Sequence, residues 1–528
     1  MRNADKINFM RYFLQIFVIS VALAGCSKDT KERHGHLPKR PNIVVILTDQ
    51  ERYPAHWPEG WHEKNLVAMN RLKKHGMTFH KAYTAACECS PSRAVLISSE
   101  FSGINQIPTT PTKRNLPSEK ELMDIGALLS ERADYDVAWK GKWHLSHALN
   151  GGRNWTEADI ANLQEQYGLS GWNPPDAGNA LSDHDKGLTT LGGGYADNDS
   201  RYIKGVTPGN TKQTQGFGES IIDYLEKASK SDKPFCLFIS LVNPHDVWVY
   251  PTDLEASGYK KEDFIHLNID LPKNYADDLL TKPSVQLKAK QAYDQASPLP
   301  DKQSEEEYVK FYAYLNKKID DQINTILDTL DHLKLTDKTL IIRTADHGEL
   351  GLSHGMREKS YTVYEEMIHI PLVISNPKLF PHPHSTDAFY SHLDLMPTLA
   401  ELAGMVNFTH YGKGVSIVPI LKNPHTTVQD SILFAYDDVF MLPQNVSAGH
   451  IRAIREGDLT YAVYFSEDGS SFEYELYDLK NDPGQLHNLL FQNTSPEIQK
   501  EALRLHRKLK EKIDITNALP ANFPWPAL

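Results

Sequence analysis

Cys89, Ser90, Pro91, Ser92 and Arg93 form one run, CSPSR, just ahead of AVLISSE. Pro91 suits the first turn of a helix, where its missing N–H costs nothing, and the following residues continue helically. Cys89 then falls at the N-terminal end of that helix, where free backbone N–H groups and the dipole attract an anion. The position alone predicts a thiol of lowered pKa, hence a reactive cysteine. Elsewhere Asp49-Gln50, Lys142 with His144, His245, and Asp346-His347 each follow a short apolar run. Two carboxylates, several imidazoles and several cations together can hold a hard ion, cradle an anion and move protons. Taken singly each has a bland use: a surface ion pair for Arg93, a solvated charge for Lys142, a helix cap for Asp346. Their common place at strand ends is what argues against that.

Those ends belong to IVVILT (43–48), VAWK (137–140), FCLFISLV (235–242) and TLIIRTA (339–345). Continuous apolar runs of this length read as strands buried on both faces, as in a parallel sheet. Helical patterns lie between them, at 120–132, 216–229 and 308–330. Strand and helix alternate, so the expected class is α/β, a large mostly parallel or mixed sheet sandwiched by helices. Ligands of such sheets bind beyond the carboxyl ends of the strands, which makes that rim the candidate site. After the helical LDLMPTLAELAG the texture changes to SILFAY, HIRAIREGDLTYAVYF and FEYELYDLKNDPG, antiparallel strands with turns, followed by a last helix in PEIQKEALRLHRKLKEKI. A catalytic domain over 41–417 and a smaller α+β C-terminal part over 418–528 are expected.

The chain has 528 residues, 40% of them hydrophobic and 23% charged, an ordinary globular composition. Its net charge of -12 argues against a general nucleic-acid binder, and an anionic substrate must meet a local positive pocket. Four cysteines are too few for a disulfide framework. Cys26 has its own explanation. Arg2, Lys6 and Arg11 precede FLQIFVISVALAG, a segment too short to span a bilayer that reads as the apolar part of a signal peptide. It ends in LAGC, which resembles the lipobox of bacterial lipoproteins, so residues 1–26 are expected to be a lipoprotein signal peptide with Cys26 lipidated. The alternative is simple cleavage to a soluble periplasmic protein. Residues 27–40 read as a polar tether, and the SKD after Cys26 is similar to the export signal of some outer-surface lipoproteins. A lipid-anchored protein of the bacterial envelope, on the outer membrane, is the expectation.

CSPSR matches the C-x-P-S-R signature of the type I sulfatases, members of the alkaline phosphatase superfamily. GKWHLS (141–146), NPHDVW (243–248), ADHGELGLSHGMREKSYTVYEEMIHIPLVI (345–374) and ELYDLKNDPGQLHNL (475–489) resemble further blocks of that family, in its order. The resemblance implies an alkaline phosphatase-like fold and a Cys89 converted to formylglycine by a maturation enzyme. It also implies a divalent ion on Asp49, Gln50, Asp346, His347 and residue 89. Many relatives carry Asp-Asp and Asp-Asn where this chain has Asp49-Gln50 and Asp346-His347; fewer carboxylates and an imidazole weaken the case for Ca2+ and admit Mn2+ or Mg2+ as alternatives, with Ca2+ still the expectation. Arg93, Lys142 and Lys359 would bind the formylglycine and sulfate oxygens. His144 would act as base in sulfate elimination, and His245, with Lys359, would protonate the leaving alcohol.

The leaving group is expected to be a sulfated polysaccharide or its oligosaccharides, with Arg153, Trp172 and His354, and more loosely Trp57, Trp61 and Trp155, as candidates to touch it. Two other readings stay open. One is a hydrolase of choline sulfate, phosphonates or phosphodiesters within the same superfamily. The other is a surface lipoprotein that binds sulfated glycans without cleaving them.

Overall fold

A computed structural model describes residues 39–519 apart from 55–56, 111–113, 150–154, 175, 177–197, 206–217, 360, 407, 409–410, 439–448 and 493–494, together with 523, 525 and 526. Cys26, the tether up to residue 38 and Arg153 lie outside the described residues. Leu37–Leu528 forms one compact unit. No helix of the described residues is long and apolar enough to cross a membrane.

The larger sheet has seven strands in the order β3-β4-β1-β5-β6-β2-β7. They are β1 (Asn42–Asp49), β2 (Gly76–Tyr83), β3 (Asp136–Gly141), β4 (Phe235–Pro244), β5 (Thr339–Ala345), β6 (Leu372–Ser375) and β7 (His384–Ser391). The block β3-β4-β1-β5 is parallel, β6 runs antiparallel to both its neighbours, and β2 and β7 pair in parallel, so the sheet is mixed. The four apolar runs are the parallel block. They need apolar side chains at every position because both faces are covered: Ile43, Val45 and Leu47 enter one core, Val44 and Ile46 the other. The helix Lys302–His332 covers the second face with Ile319, Ile323 and Ile326, each burial contributing about 1.5–3 kcal/mol. The first face takes Ala94, Leu96 and Ile97 from the helix Cys89–Ser98.

The second sheet is antiparallel throughout, β11-β10-β9-β8, built from β8 (Ser431–Asp438), β9 (Gly449–Glu456), β10 (Leu459–Phe465) and β11 (Phe472–Asp478). Its strands alternate. Leu433 and Ala435 meet Leu505, Leu509 and Ile513 of the closing helix Pro496–Thr516, while Ile432, Phe434 and Tyr436 cluster with Val285, Val363 and Met367.

The helix expected over 120–132 is shorter. Asp124 caps it, its carboxylate accepting the N–H of Ala127 at 3.0 Å, so the helix starts at Ile125 and widens into a five-residue π turn at Leu128–Arg132.

Candidate active site

Parallel pairing places the carboxyl ends of the four apolar strands on one rim. Register sets Thr48 beside Ala345, Asp49 beside Pro244 and Gly141 beside Ser240. Asp49, Lys142, His144, His245, Asp346 and His347 therefore leave the sheet at the same level. Gly141 takes φ 85°, and a Cβ there would sit 2.0 Å from the Ser240 carbonyl oxygen, so only glycine lets β3 turn this close to β4. Gln50 and His144 are held in left-handed backbone, φ 69° and 63°, a conformation non-glycine residues rarely adopt. Asp176 fixes the second of these by accepting the N–H groups of Trp143 and His144, both at 2.8 Å.

Arg93 joins the rim to the helix. Its Nε and Nη2 both lie 2.9 Å from Asp346 Oδ2, and Nη2 donates to Asp49 Oδ2 at 3.0 Å. Nη1 donates to Ser240 Oγ at 2.7 Å and to the Lys142 carbonyl at 3.0 Å. Lys142 Nζ stands 2.6 Å from Asp49 Oδ2 without the alignment of a hydrogen bond, so the contact is Coulombic. All of these side chains are buried.

Each carboxylate thus divides its oxygens. Oδ2 faces the cations, whereas Oδ1 of Asp49 lies 3.6 Å from Cys89 Sγ and 3.8 Å from His347 Nε2, and Oδ1 of Asp346 lies 3.7 Å from the same nitrogen. His347 Nδ1 is 2.9 Å from the Gly348 carbonyl, which can only accept, so Nδ1 carries the proton and Nε2 keeps its lone pair toward the group. Cys89 Sγ is 3.2 Å from that Nε2. One donor atom each from Asp49, Cys89, Asp346 and His347 lies within 4.8 Å of the others, all four residues buried. Two carboxylate oxygens, an imidazole lone pair and a fourth atom at the helix start suit a divalent cation. Gln50 sits beside this group, but its amide is engaged elsewhere: Oε1 accepts from Lys359, and Nε2 donates to Glu349 and to Glu358 Oε2, the latter at 3.1 Å.

Charge follows position. Burial alone would raise the Asp49 carboxyl, but the charges of Lys142 and Arg93 hold it well below the usual carboxylate range. Burial would likewise lower Lys359, and the carboxylates of Glu358 and Asp49 override it and raise it well above its ordinary value. His144 and His245 are both held neutral, well below the ordinary imidazole value, by burial and then by Lys142 with Arg93 for the first and Lys359 with Lys142 for the second. The Nδ1 of each is buried with no hydrogen-bond partner among the described residues. The expectation of a thiol lowered by the helix N-terminus is corrected here. Burial and the Asp49 carboxylate push Cys89 up to about 12, outweighing the helix end and the neighbouring lysines. Cys87 and Cys236 are free and buried.

Cys89 opens onto a cavity of about 350 Å3 lined also by His245, Lys359, Glu88, Glu358, Thr110, Arg357 and an aromatic set, Trp248, Tyr250, Tyr293 and Tyr308. Trp248 ends the NPHDVW segment, Glu358 precedes Lys359 and Tyr308 opens the helical pattern at 308–330, so all three stood within segments already singled out; Asp176 and Tyr293 carried no sequence signal. The tryptophans proposed for the leaving group line no part of this cavity. Trp172 is fully buried, donates its N–H to the Gly141 carbonyl at 2.9 Å and meets Trp155 edge to face at 4.8 Å. Trp57 is buried between Trp61 and Tyr312. His354 is fully buried, bonded to Asp277 at 2.7 Å and to Asn274 at 3.1 Å and stacked on Tyr364 at 3.7 Å.

The N-acetylglucosamine-6-O-sulfatase of Bacteroides thetaiotaomicron is 25% identical over 95% of this chain and 92% of its own. The choline-sulfatase of Rhizobium meliloti is 28% identical over 85% and 82%. A solved structure described as in complex with its substrate D-glucosamine-2-N,6-O-disulfate superposes with a TM-score of 0.65 at 21% identity, covering 91% of this chain and 98% of that one, a likeness of fold. The profile of N-sulphoglucosamine sulphohydrolase C-terminal regions matches residues 352–514, and the Sulfatase profile matches residues 41–405, the span holding every residue of the rim. With more than half its length matched, the chain belongs to the sulfatase family, hydrolases of sulfuric esters.

Proposed function

We propose that the protein hydrolyses sulfate monoesters of a sulfated carbohydrate, with residue 89 supplying the nucleophile after maturation to formylglycine. The observation that carries this reading is the meeting of Cys89, Asp49, Asp346 and His347 donor atoms within 4.8 Å beside a cavity that Cys89, His245 and Lys359 line. The glycan relatives support the substrate class, since the sulfatase named for N-acetylglucosamine aligns along nearly the whole chain.

Asp49, Asp346, His347 and residue 89 would hold the divalent ion, and we expect calcium there. The ion would supply a fixed positive charge on the oxygen of residue 89 and on the sulfate, lowering the cost of charge at both. Arg93 pairs with both carboxylates and Lys142 with Asp49, which leaves their Oδ1 atoms turned toward that point. Lys359, charged and lining the cavity, binds sulfate oxygen as the ester enters. His245 also lines the cavity, and its burial beside Lys359 makes its protonated form a strong acid, suited to giving a proton to a departing alkoxide. His144, its backbone N–H held by Asp176, is neutral and has an Nδ1 with no hydrogen-bond partner among the described residues, as a base for the second half of the reaction needs.

Peptide mass spectrometry and sulfate release test this together. Protein made beside a maturation enzyme should carry an aldehyde or its hydrate at residue 89, and Cys89→Ala should lower sulfate release more than about 1,000-fold with the fold intact. An unmodified thiol in active protein, or phosphodiester turnover well above sulfate turnover, would overturn the proposal.

A further inference from the structure

We infer that the cavity beside Cys89 is a pocket for a single terminal sugar ring, walled by Trp248 and Tyr293, so that sulfate is removed from chain ends and not from within a chain. This rests on the proposed sulfatase reading and specifies its substrate. The cavity, about 350 Å3, lies at the small end of the roughly 300–1,000 Å3 that ligand pockets span. It has room for one ring beside the sulfate, so the neighbours of an internal unit would have to leave through its opening.

Its walls come from separate parts of the chain. Trp248 and Tyr250 belong to the turn after β4, Ala292 and Tyr293 to the helix Ser284–Ala296, Tyr308 to the helix Lys302–His332, and Arg357 to the loop leading to Lys359. Several walls are pinned from behind. Tyr250 and Tyr308 give their hydroxyls away, to Glu307 Oε2 at 2.6 Å and Glu349 Oε1 at 2.9 Å, and so present ring surface to the cavity. The helix Ser284–Ala296 is tied to the small sheet through Ser284 N–H to Glu473 at 2.9 Å and Gln286 to the Tyr464 hydroxyl at 3.2 Å. Arg357 holds its other end, donating to the Tyr293 carbonyl at 3.2 Å. A wall fastened at both ends does not swing aside to let a polymer pass. Aromatic faces suit the C–H faces of a sugar ring, and Trp248, which also packs against the core around Val247 and Phe311, and Tyr293 are the two of these rings that are only half-buried.

The experiment digests long and short size fractions of heparin, chondroitin sulfate, carrageenan and ulvan at equal total sulfate, with 4-nitrophenyl sulfate as a control for competence. If ends are attacked, fractions tenfold shorter release sulfate about tenfold faster, in proportion to their chain ends. Trp248→Ala and Tyr293→Ala should raise KM for the short fraction about tenfold or more, with a smaller change in kcat. A rate independent of chain length overturns end attack, and unchanged KM in both variants overturns the walls. Turnover of the aryl sulfate with none of the glycans overturns the sugar pocket while leaving a sulfatase. Failure on every sulfate ester would instead sink the proposed function.

Discussion

Arg93 illustrates how much one side chain does at this site. Five short contacts leave its guanidinium, to Asp346 through two nitrogens, to Asp49, to Ser240 Oγ and to the Lys142 carbonyl, from a fully buried position. The planar fork spans both carboxylates at once, which an ammonium cannot do. Arg93→Lys keeps the charge but strips partners from Ser240 Oγ, the Lys142 carbonyl and at least one carboxylate. Leaving buried polar groups unpaired costs about 1–3 kcal/mol each, so the variant should lose about 2–4 kcal/mol of stability and most of its activity. Denaturant unfolding beside sulfate release measures both, and a variant as stable as the parent would show that Arg93 does not hold the rim. The same scale explains the misjudged thiol. A helix end offers a fraction of a charge, whereas Cys89 faces complete burial and a whole carboxylate.

At the level of elements, the site exists because four strands end together, and their layer is held by a buried ion pair away from the chemistry. Asp320, on the helix Lys302–His332, bonds Arg343 of β5 at 2.5 Å and accepts the N–H groups of Ala68 and Met69 at 2.7 and 3.0 Å, at the start of the helix Val67–Lys74. All of these residues are buried. Asp320→Ala strands two backbone donors and leaves Arg343 only its longer 3.4 Å contacts to Glu51, so it should cost about 3–5 kcal/mol while leaving KM unchanged; a loss below about 1 kcal/mol would mean that water and Glu51 take the place of the carboxylate. This layer also marks how far the sequence could be read. The strands β1, β3, β4 and β5 were legible because burial on both faces demands unbroken apolar runs, and their last residues gave the rim. By contrast β2 and β7, GMTFHKAY and HSTDAFYS, mix exposed and buried positions and are strands by pairing more than by composition. Trp172 could not be assigned for a related reason: a tryptophan in a loop looks the same whether its face meets a ligand or, as here, the core.

Across the whole molecule, burial sets two opposed pH responses. Burial, then Lys73, Arg343 and Arg52, lowers His62 to about 3, and burial lowers His392 to about 3 as well. An imidazole that protonates near 6.5 when unfolded binds its proton preferentially in the unfolded chain, so each costs stability as pH falls below about 6.5 and reaches its full cost near 3. Buried acids act in the other direction. Burial raises Asp124 to about 8 and Asp394 to about 6, so their protonated forms favour the native state and that gain is lost as pH rises through those values. The summed profile therefore hides each contribution, and a difference between variants isolates one. His62 has neither ring nitrogen bonded among the described residues, so His62→Gln removes the titration without breaking a hydrogen bond. Between pH 6.5 and 5 the parent should lose up to about 1.4 kcal/mol per pH unit relative to His62→Gln, read as a gap between their unfolding midpoints that shifts in the variant's favour as the solution is acidified. A gap that stays constant over that interval would mean that His62 titrates alike in both states, which requires water to reach its ring in the folded protein.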